Sequence, residues 1–135
     1  MPSIKLAAEP TSVSPARRFV ERRLEGVAVD RDVATLLVSE LASNVVRHAA
    51  TDFEIVVEVA ATVRIEVRDG AAVTEAFRDL IRRPPRQVDA SSPGGRGWML
   101  VSTLAQDFGL IDHGADGKSL WFELAIDRTN PAEAS

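Results

Sequence analysis

Glu40-Leu41-Ala42-Ser43-Asn44-Val45-Val46-Arg47-His48 is the stretch on which the reading of this chain turns. Leu36, Glu40, Asn44 and His48 recur every four residues, so on a helix they form one stripe. Val33, Leu37, Leu41 and Val45 form an apolar stripe beside it. A carboxylate, a carboxamide and an imidazole therefore run along the border of a face destined for burial. Successive members stand about 6 Å apart at the helical rise per residue. That spacing suits a ligand with several charged groups in a row, such as a nucleoside triphosphate with its metal. The same side chains also fit as satisfied polar groups at a helix–sheet border, so the flanking sequence has to decide.

Upstream, Asp30 is placed to cap this helix, expected over residues 31–48. Ser14-Pro15 reads as the start of an earlier helix, with Ser as N-cap and Pro in the first helical position. That helix turns Ala16, Phe19, Val20 and Leu24 inward and ends near Gly26. Residues 3–8 read as a short first strand. Downstream, Phe53, Ile55, Val57 and Val59 alternate with Glu54, Val56 and Glu58, and Val63, Ile65 and Val67 with Arg64, Glu66 and Arg68, so two strands meet at Ala60-Ala61. Their Glu and Arg residues can pair across the strands. Residues 74–83 fit a short helix stopped by Pro84-Pro85, and residues 86–93 a loop. A helix over 98–105, a strand over 108–112, a turn over 114–117 and a strand over 118–126 complete the order. Residues 126–135 read as a flexible tail.

The totals set limits. A chain of 135 residues is one domain's worth, and 45% hydrophobic residues supply a core for it. A net charge of −4 argues against general affinity for nucleic acid or acidic membranes. With no cysteine there is no disulfide framework, thiolate metal site or cysteine nucleophile. No apolar run approaches the roughly 20 residues that span a bilayer. The N-terminus lacks a signal-peptide layout. A cytoplasmic protein is the expectation.

Three further places carry chemistry. Gly94-Gly95-Arg96-Gly97 opens a helix, where glycines let backbone N–H groups approach an anion and the helix N-terminus is partly positive. Arg96 adds a charged donor for a phosphate oxygen; the same segment also fits a plain loop and cap. Asp69, before Gly70 at a strand end, can accept from an exocyclic amine such as adenine's, or simply make an Asp-Gly turn. Ser119 begins the last strand, where an inward hydroxyl would touch a base or a bridging water, or fill space.

Taken in order, these features resemble the Bergerat ATP-binding fold shared by gyrase, Hsp90, histidine kinases and MutL. They are most similar to its small anti-sigma-factor/serine-protein-kinase branch. Glu40 to Ala49 is similar to that branch's N-box, Val67-Arg68-Asp69-Gly70 to its first glycine box and Gly94 to Val101 to its second. Gly117 to Leu124 is similar to its closing strand. The resemblance implies an α+β two-layer sandwich: a mixed, mostly antiparallel sheet covered on one face by helices, in a single domain over residues 1–135. It implies ATP and Mg²⁺ as ligands, with Asn44 on the metal and Glu40 as general base. It implies Asp69 with Gly70 at the adenine, Gly94, Gly95, Arg96 and Gly97 at the phosphates, Ser119 near the base, and His48 as a helix-end anchor near the nucleotide. The implied partners are a sigma factor and a STAS-domain anti-anti-sigma protein whose serine is phosphorylated, with homodimerisation common among similar proteins.

The chain departs from the branch in places. Ala71-Ala72 stands where a second glycine is usual, Pro93 where an arginine often faces the terminal phosphate, and Ser119 where Thr is more usual. Pro93 keeps a second function open: a non-catalytic nucleotide sensor that controls a partner through lid ordering. A histidine-kinase catalytic domain is disfavoured, since a phospho-acceptor hairpin has no room here. A gyrase- or Hsp90-like ATPase is disfavoured for want of a transducer. Arg17, Arg18, Arg22 and Arg23 make a basic patch on the first helix, read as a solvated face that can also dock an acidic partner.

Overall fold

The alternation of apolar and polar residues after Asp52 has one economical outcome, a sheet with one face buried and one left to water. The computed structural model describes residues 1–82 and 95–127, with side chains of 95 and 96 excepted. Its strands are β1 (Ser3–Leu6), β2 (Phe53–Val59), β3 (Thr62–Asp69), β4 (Asp107–Asp112) and β5 (Lys118–Ala125), in the order β1-β2-β3-β5-β4. Every pairing among them is antiparallel, so the parallel pair that a mixed sheet would need is not found among the described residues. Phe53, Ile55 and Val57 of β2, Val63, Ile65 and Val67 of β3, and Phe122 and Leu124 of β5 are all buried on the same side. The helices α1 (Val13–Arg23), α2 (Arg31–Asn44), α3 (Glu75–Arg82) and α4 (Gly95–Leu104) belong to the second layer. The expected α+β sandwich is therefore observed.

α2 is the central helix. Asp30 caps it by accepting from the Val33 amide at 3.1 Å, as its position in the sequence requires. Leu37, Leu41 and Val45 are buried with Ala34, Val38 and Ala42 between them, and Leu36 of the other stripe is exposed. Small residues at 34 and 42 let α2 lie close to its neighbours. α1 packs along one side through Ala16, Val20 and Leu24, and α4 along the other through Trp98 and Val101.

Two helix boundaries differ from the reading of the sequence. α1 begins two residues earlier: a short 3₁₀ turn over Pro10–Ser12 feeds it, and Ser12 takes the cap position without a side-chain bond. Pro15 then falls inside the first turn, where its missing N–H still costs nothing. The α-helix of the opening stretch stops at Asn44, and Val45–Ala49 form a wider π turn. That turn closes with the Ala50 amide on the Val45 carbonyl at 2.8 Å and Ala50 in the left-handed region at φ 54°. Such widened turns often mark functional sites. The expected strand-to-strand ion pairs are replaced by one across the next ladder. Arg64 of β3 pairs with Glu123 of β5 at 3.6 Å and lies 4.1 Å over the Trp121 ring.

Candidate functional site

A cavity of about 460 Å³ opens between α2, α3, the start of α4 and the ends of β3 and β5, a size suited to a nucleotide-sized ligand. Leu41, Val67, Leu80, Ile81 and Leu120 supply its apolar wall. Asn44, His48, Asp69 and Lys118 bring polar groups to it. Trp98 closes one side, where its indole N–H donates to the Ile81 carbonyl at 3.3 Å and its ring meets Phe108 edge-on with centroids 5.3 Å apart. The beginning of α4 is thereby tied to the end of α3.

The opening stretch contributes unevenly. Asn44 is half-buried and lines the cavity. Glu40, one turn earlier and also half-buried, stands outside the cavity wall, at the contact between α2 and α4. Gly97 explains how close that contact is. A Cβ there would lie 2.7 Å from Asn44 Nδ2 and 3.3 Å from Glu40 Cβ, so any larger residue would have to push the Asn44 amide aside for α4 to stay this close. His48 is exposed at the cavity rim. The four-residue spacing that set it in line with Asn44 assumed an α turn, and the π turn changes that register.

Asp69 is buried at the end of β3, 6% exposed. Its Oδ1 accepts from the Ala71 amide at 2.8 Å and from Lys118 Nζ at 2.9 Å. Both side chains face the cavity, and both are nearly excluded from water, at 5% and 9% side-chain exposure. Charges so placed are retained only when paired. Asp69 and Lys118 are opposite each other in the β3–β5 register. Gly117 makes this join possible: its φ of 106° is the left-handed region, and a Cβ on it would collide with the Asp69 carbonyl oxygen. Lys118 and Gly117 were missed as site residues. The period of two would have found Lys118, because Phe122 and Leu124 face the helices and every second residue back from them does too.

That alternation corrects Ser119. Its hydroxyl lies on the opposite side of the sheet, fully buried, bonded to His113 Nε2 at 2.8 Å and donating to Glu66 Oε2 at 3.2 Å. An inward contact with a base is therefore not available to it. Gly70 is a second displacement: its amide donates to Thr51 Oγ1 at 2.9 Å, and the residue borders a shallower surface pocket rather than the cavity. The Gly95–Gly97 turn does open α4. Gly94, Pro84 to Pro93 with Arg86, the side chain of Arg96 and the tail from residue 128 lie outside the described residues.

These features suit a nucleotide with its metal. A buried carboxylate is held on the cavity wall, a carboxamide lies on α2, and a glycine allows a helix start to come against that carboxamide. Among the described residues no group of three or more acidic or imidazole side chains could hold a metal. Mg²⁺ does not require one, since it is usually held by one or two protein ligands together with substrate phosphates.

A sheet of this order, covered on one face by helices and carrying such a cavity at the α2–α4 contact, defines a class of nucleotide-binding domain. The family model for the histidine kinase-like ATPase domain matches residues 6–124, and the chain belongs to that family of ATP-binding domains. Two solved structures share the fold. The Acinetobacter baumannii histidine kinase AdeS is 12% identical with a TM-score of 0.57, over 95% of this chain and 69% of that one. The catalytic domain of histidine kinase ThkA, solved in a nucleotide-free form, is 11% identical with a TM-score of 0.53, over 93% of this chain and 96% of that one. No curated protein matches the sequence. No helix among the described residues is long and apolar enough to cross a membrane.

Proposed function

We propose that the protein is an ATP- and Mg²⁺-dependent regulator, an anti-sigma factor that phosphorylates a serine on a STAS-domain partner. The observation that carries the nucleotide half is the cavity itself, with Asn44 on α2 and the buried Asp69 on β3 in one wall. Asp69 accepts from the adenine amine. Asn44 would hold Mg²⁺, which would supply charge neutralisation at the phosphates. Amides at the start of α4 face anionic oxygens at a partly positive helix end. Glu40, beside Gly97, takes the proton of the partner's serine hydroxyl. The regulatory half draws its support from the similarity of the Glu40–Ala49, Asp69-Gly70 and Gly94–Val101 motifs to the anti-sigma branch. A cytoplasmic location and a homodimer belong to the same proposal.

The test is incubation with γ-labelled ATP, Mg²⁺ and a STAS-domain substrate. Label on a partner serine, lost in Glu40→Ala, is the expected result. A second reading has an observation of its own: Glu40 stands outside the cavity wall, and Pro93 occupies the place of the phosphate-facing arginine. In that reading the protein senses nucleotide without transferring phosphate, and Glu40→Ala retains full regulation of the partner while no label moves.

A further inference from the structure

The Asp69–Lys118 pair has a chemistry that a structural salt bridge leaves unused. Lys118 Nζ carries three donors. Two are placed, one on Asp69 Oδ1 at 2.9 Å and one on the Ala71 carbonyl at 3.4 Å. The ammonium lies 5.1 Å from the Phe77 ring centroid, and Lys118, Asp69, Ala71 and Phe77 all line the cavity. Asp69 uses Oδ1 for both Lys118 and the Ala71 amide, which leaves Oδ2 as its second acceptor. The wall therefore presents an acceptor and a donor side by side, both fixed in place. Ala71 holds each of them, through its amide to Asp69 and its carbonyl to Lys118, and the ladder register holds them from behind.

A purine offers the complement of such a wall on its pairing edge. Adenine has an N–H donor at N6 next to an acceptor at N1. Guanine has an acceptor at O6 next to a donor at N1, the reverse order. Enzymes that read a single base do so by hydrogen bonds to this edge. With N6 on the Asp69 carboxylate, as the proposed function has it, N1 falls to the neighbouring group, and that group is the Lys118 ammonium.

We propose that Lys118 is a base-reading residue, donating to N1 of adenine while Asp69 accepts from N6. The inference rests on the nucleotide-site reading above. In this arrangement guanine sets O6 against a carboxylate and N1–H against an ammonium, a mismatch at both positions. Buried polar groups that lose their partners are what make such sites selective.

The experiment is calorimetric titration of the wild-type protein with ATP, with 1-deaza-ATP, in which N1 is replaced by C–H, and with GTP, all with Mg²⁺. It is repeated with Lys118→Met. The wild type should bind 1-deaza-ATP at least about tenfold more weakly than ATP, the loss of one hydrogen bond to a charged donor, and GTP more weakly still. Lys118→Met should bind ATP and 1-deaza-ATP alike. A lysine that only neutralises Asp69 would leave the wild type indifferent to the change at N1. Equal wild-type affinity for ATP and 1-deaza-ATP overturns the inference while leaving the ATP site standing. Discrimination that persists in Lys118→Met overturns it as well. Binding of none of the three nucleotides overturns both the inference and the function beneath it. The wild-type comparison decides by itself should the Met variant not fold.

Discussion

Replacing Lys118 with methionine should be among the most damaging single changes available in this domain. The substitution keeps most of the apolar stem but leaves the Asp69 carboxylate without its counter-ion, in a site where it is only 5% exposed. Removing one member of a buried pair costs about 3–5 kcal/mol, because the remaining charge is stranded. A domain of this size has a total stability of roughly 5–15 kcal/mol, so about a fifth or more of it is at risk. At about 2–8 °C per kcal/mol, the midpoint of thermal unfolding should fall by roughly 6 °C or more. Asp69→Asn/Lys118→Met should recover most of this loss, to within about 1–2 kcal/mol of wild type, because the neutral amide needs no cation and its oxygen can still accept from Ala71. Urea unfolding followed by the fluorescence of Trp98 and Trp121 measures all of these. A loss below about 1 kcal/mol in the single variant would refute the reasoning, since so small a cost belongs to a solvated pair. A double variant as unstable as the single one would refute it too, since the damage would then lie in packing rather than charge.

Other substitutions probe the close approaches. Gly97→Ala must displace the Asn44 amide from 2.7 Å and press on Glu40 Cβ at 3.3 Å. It should cost about 1–3 kcal/mol by overpacking and weaken Mg²⁺-dependent nucleotide binding by roughly 10-fold or more through the shifted Asn44, measured by denaturation and titration in parallel. Gly117→Ala should be worse for folding than Gly109→Ala. The first meets backbone at a left-handed φ, and the second meets the Trp121 ring at 2.7 Å, which can give a little; comparative thermal melts rank them. Gly70→Ala should be nearly neutral in the same melts, because its Cβ would make only ordinary contact with Thr51 at 3.6 Å. Asp30→Ala removes the cap bond to Val33 and should cost about 1 kcal/mol, read by chemical denaturation.

The parts of this molecule that were legible in its sequence are those governed by period and by local caps. The four-residue spacing of Leu37, Leu41 and Val45 placed α2 and its buried face. The alternation through Ile55, Val57, Val63 and Ile65 placed two strands that pair as expected. Asp30 marked a helix start because its side-chain oxygen satisfies an amide that nothing else in the helix can reach. What was not legible depends on where elements meet. The π turn after Asn44 is a backbone adjustment with no one-residue signature, and it moved His48 to the rim. Ser119 was misassigned because a hydroxyl drew attention at a position whose parity pointed it away from the helices. Lys118, beside it, had the right parity, but a lysine early in a strand ordinarily reads as solvated. Its partner, 49 residues earlier, appears only when β3 and β5 are laid side by side. Gly97 was singled out as a phosphate-loop glycine, and its close approach to Glu40 and Asn44 shows only when α2 and α4 are packed together.

The central claim is that Asn44 and Asp69 in this cavity hold an adenine nucleotide with its metal. Calorimetric titration of ATP into the folded protein, with Mg²⁺ and with chelator, and again for Asn44→Ala, addresses it most directly. The account predicts saturable binding that weakens when Mg²⁺ is removed, and an Asn44→Ala variant that keeps its fold but binds weakly and no longer responds to Mg²⁺. Heat-free titrations at millimolar ATP, alongside an unchanged melting temperature with and without nucleotide, would contradict it.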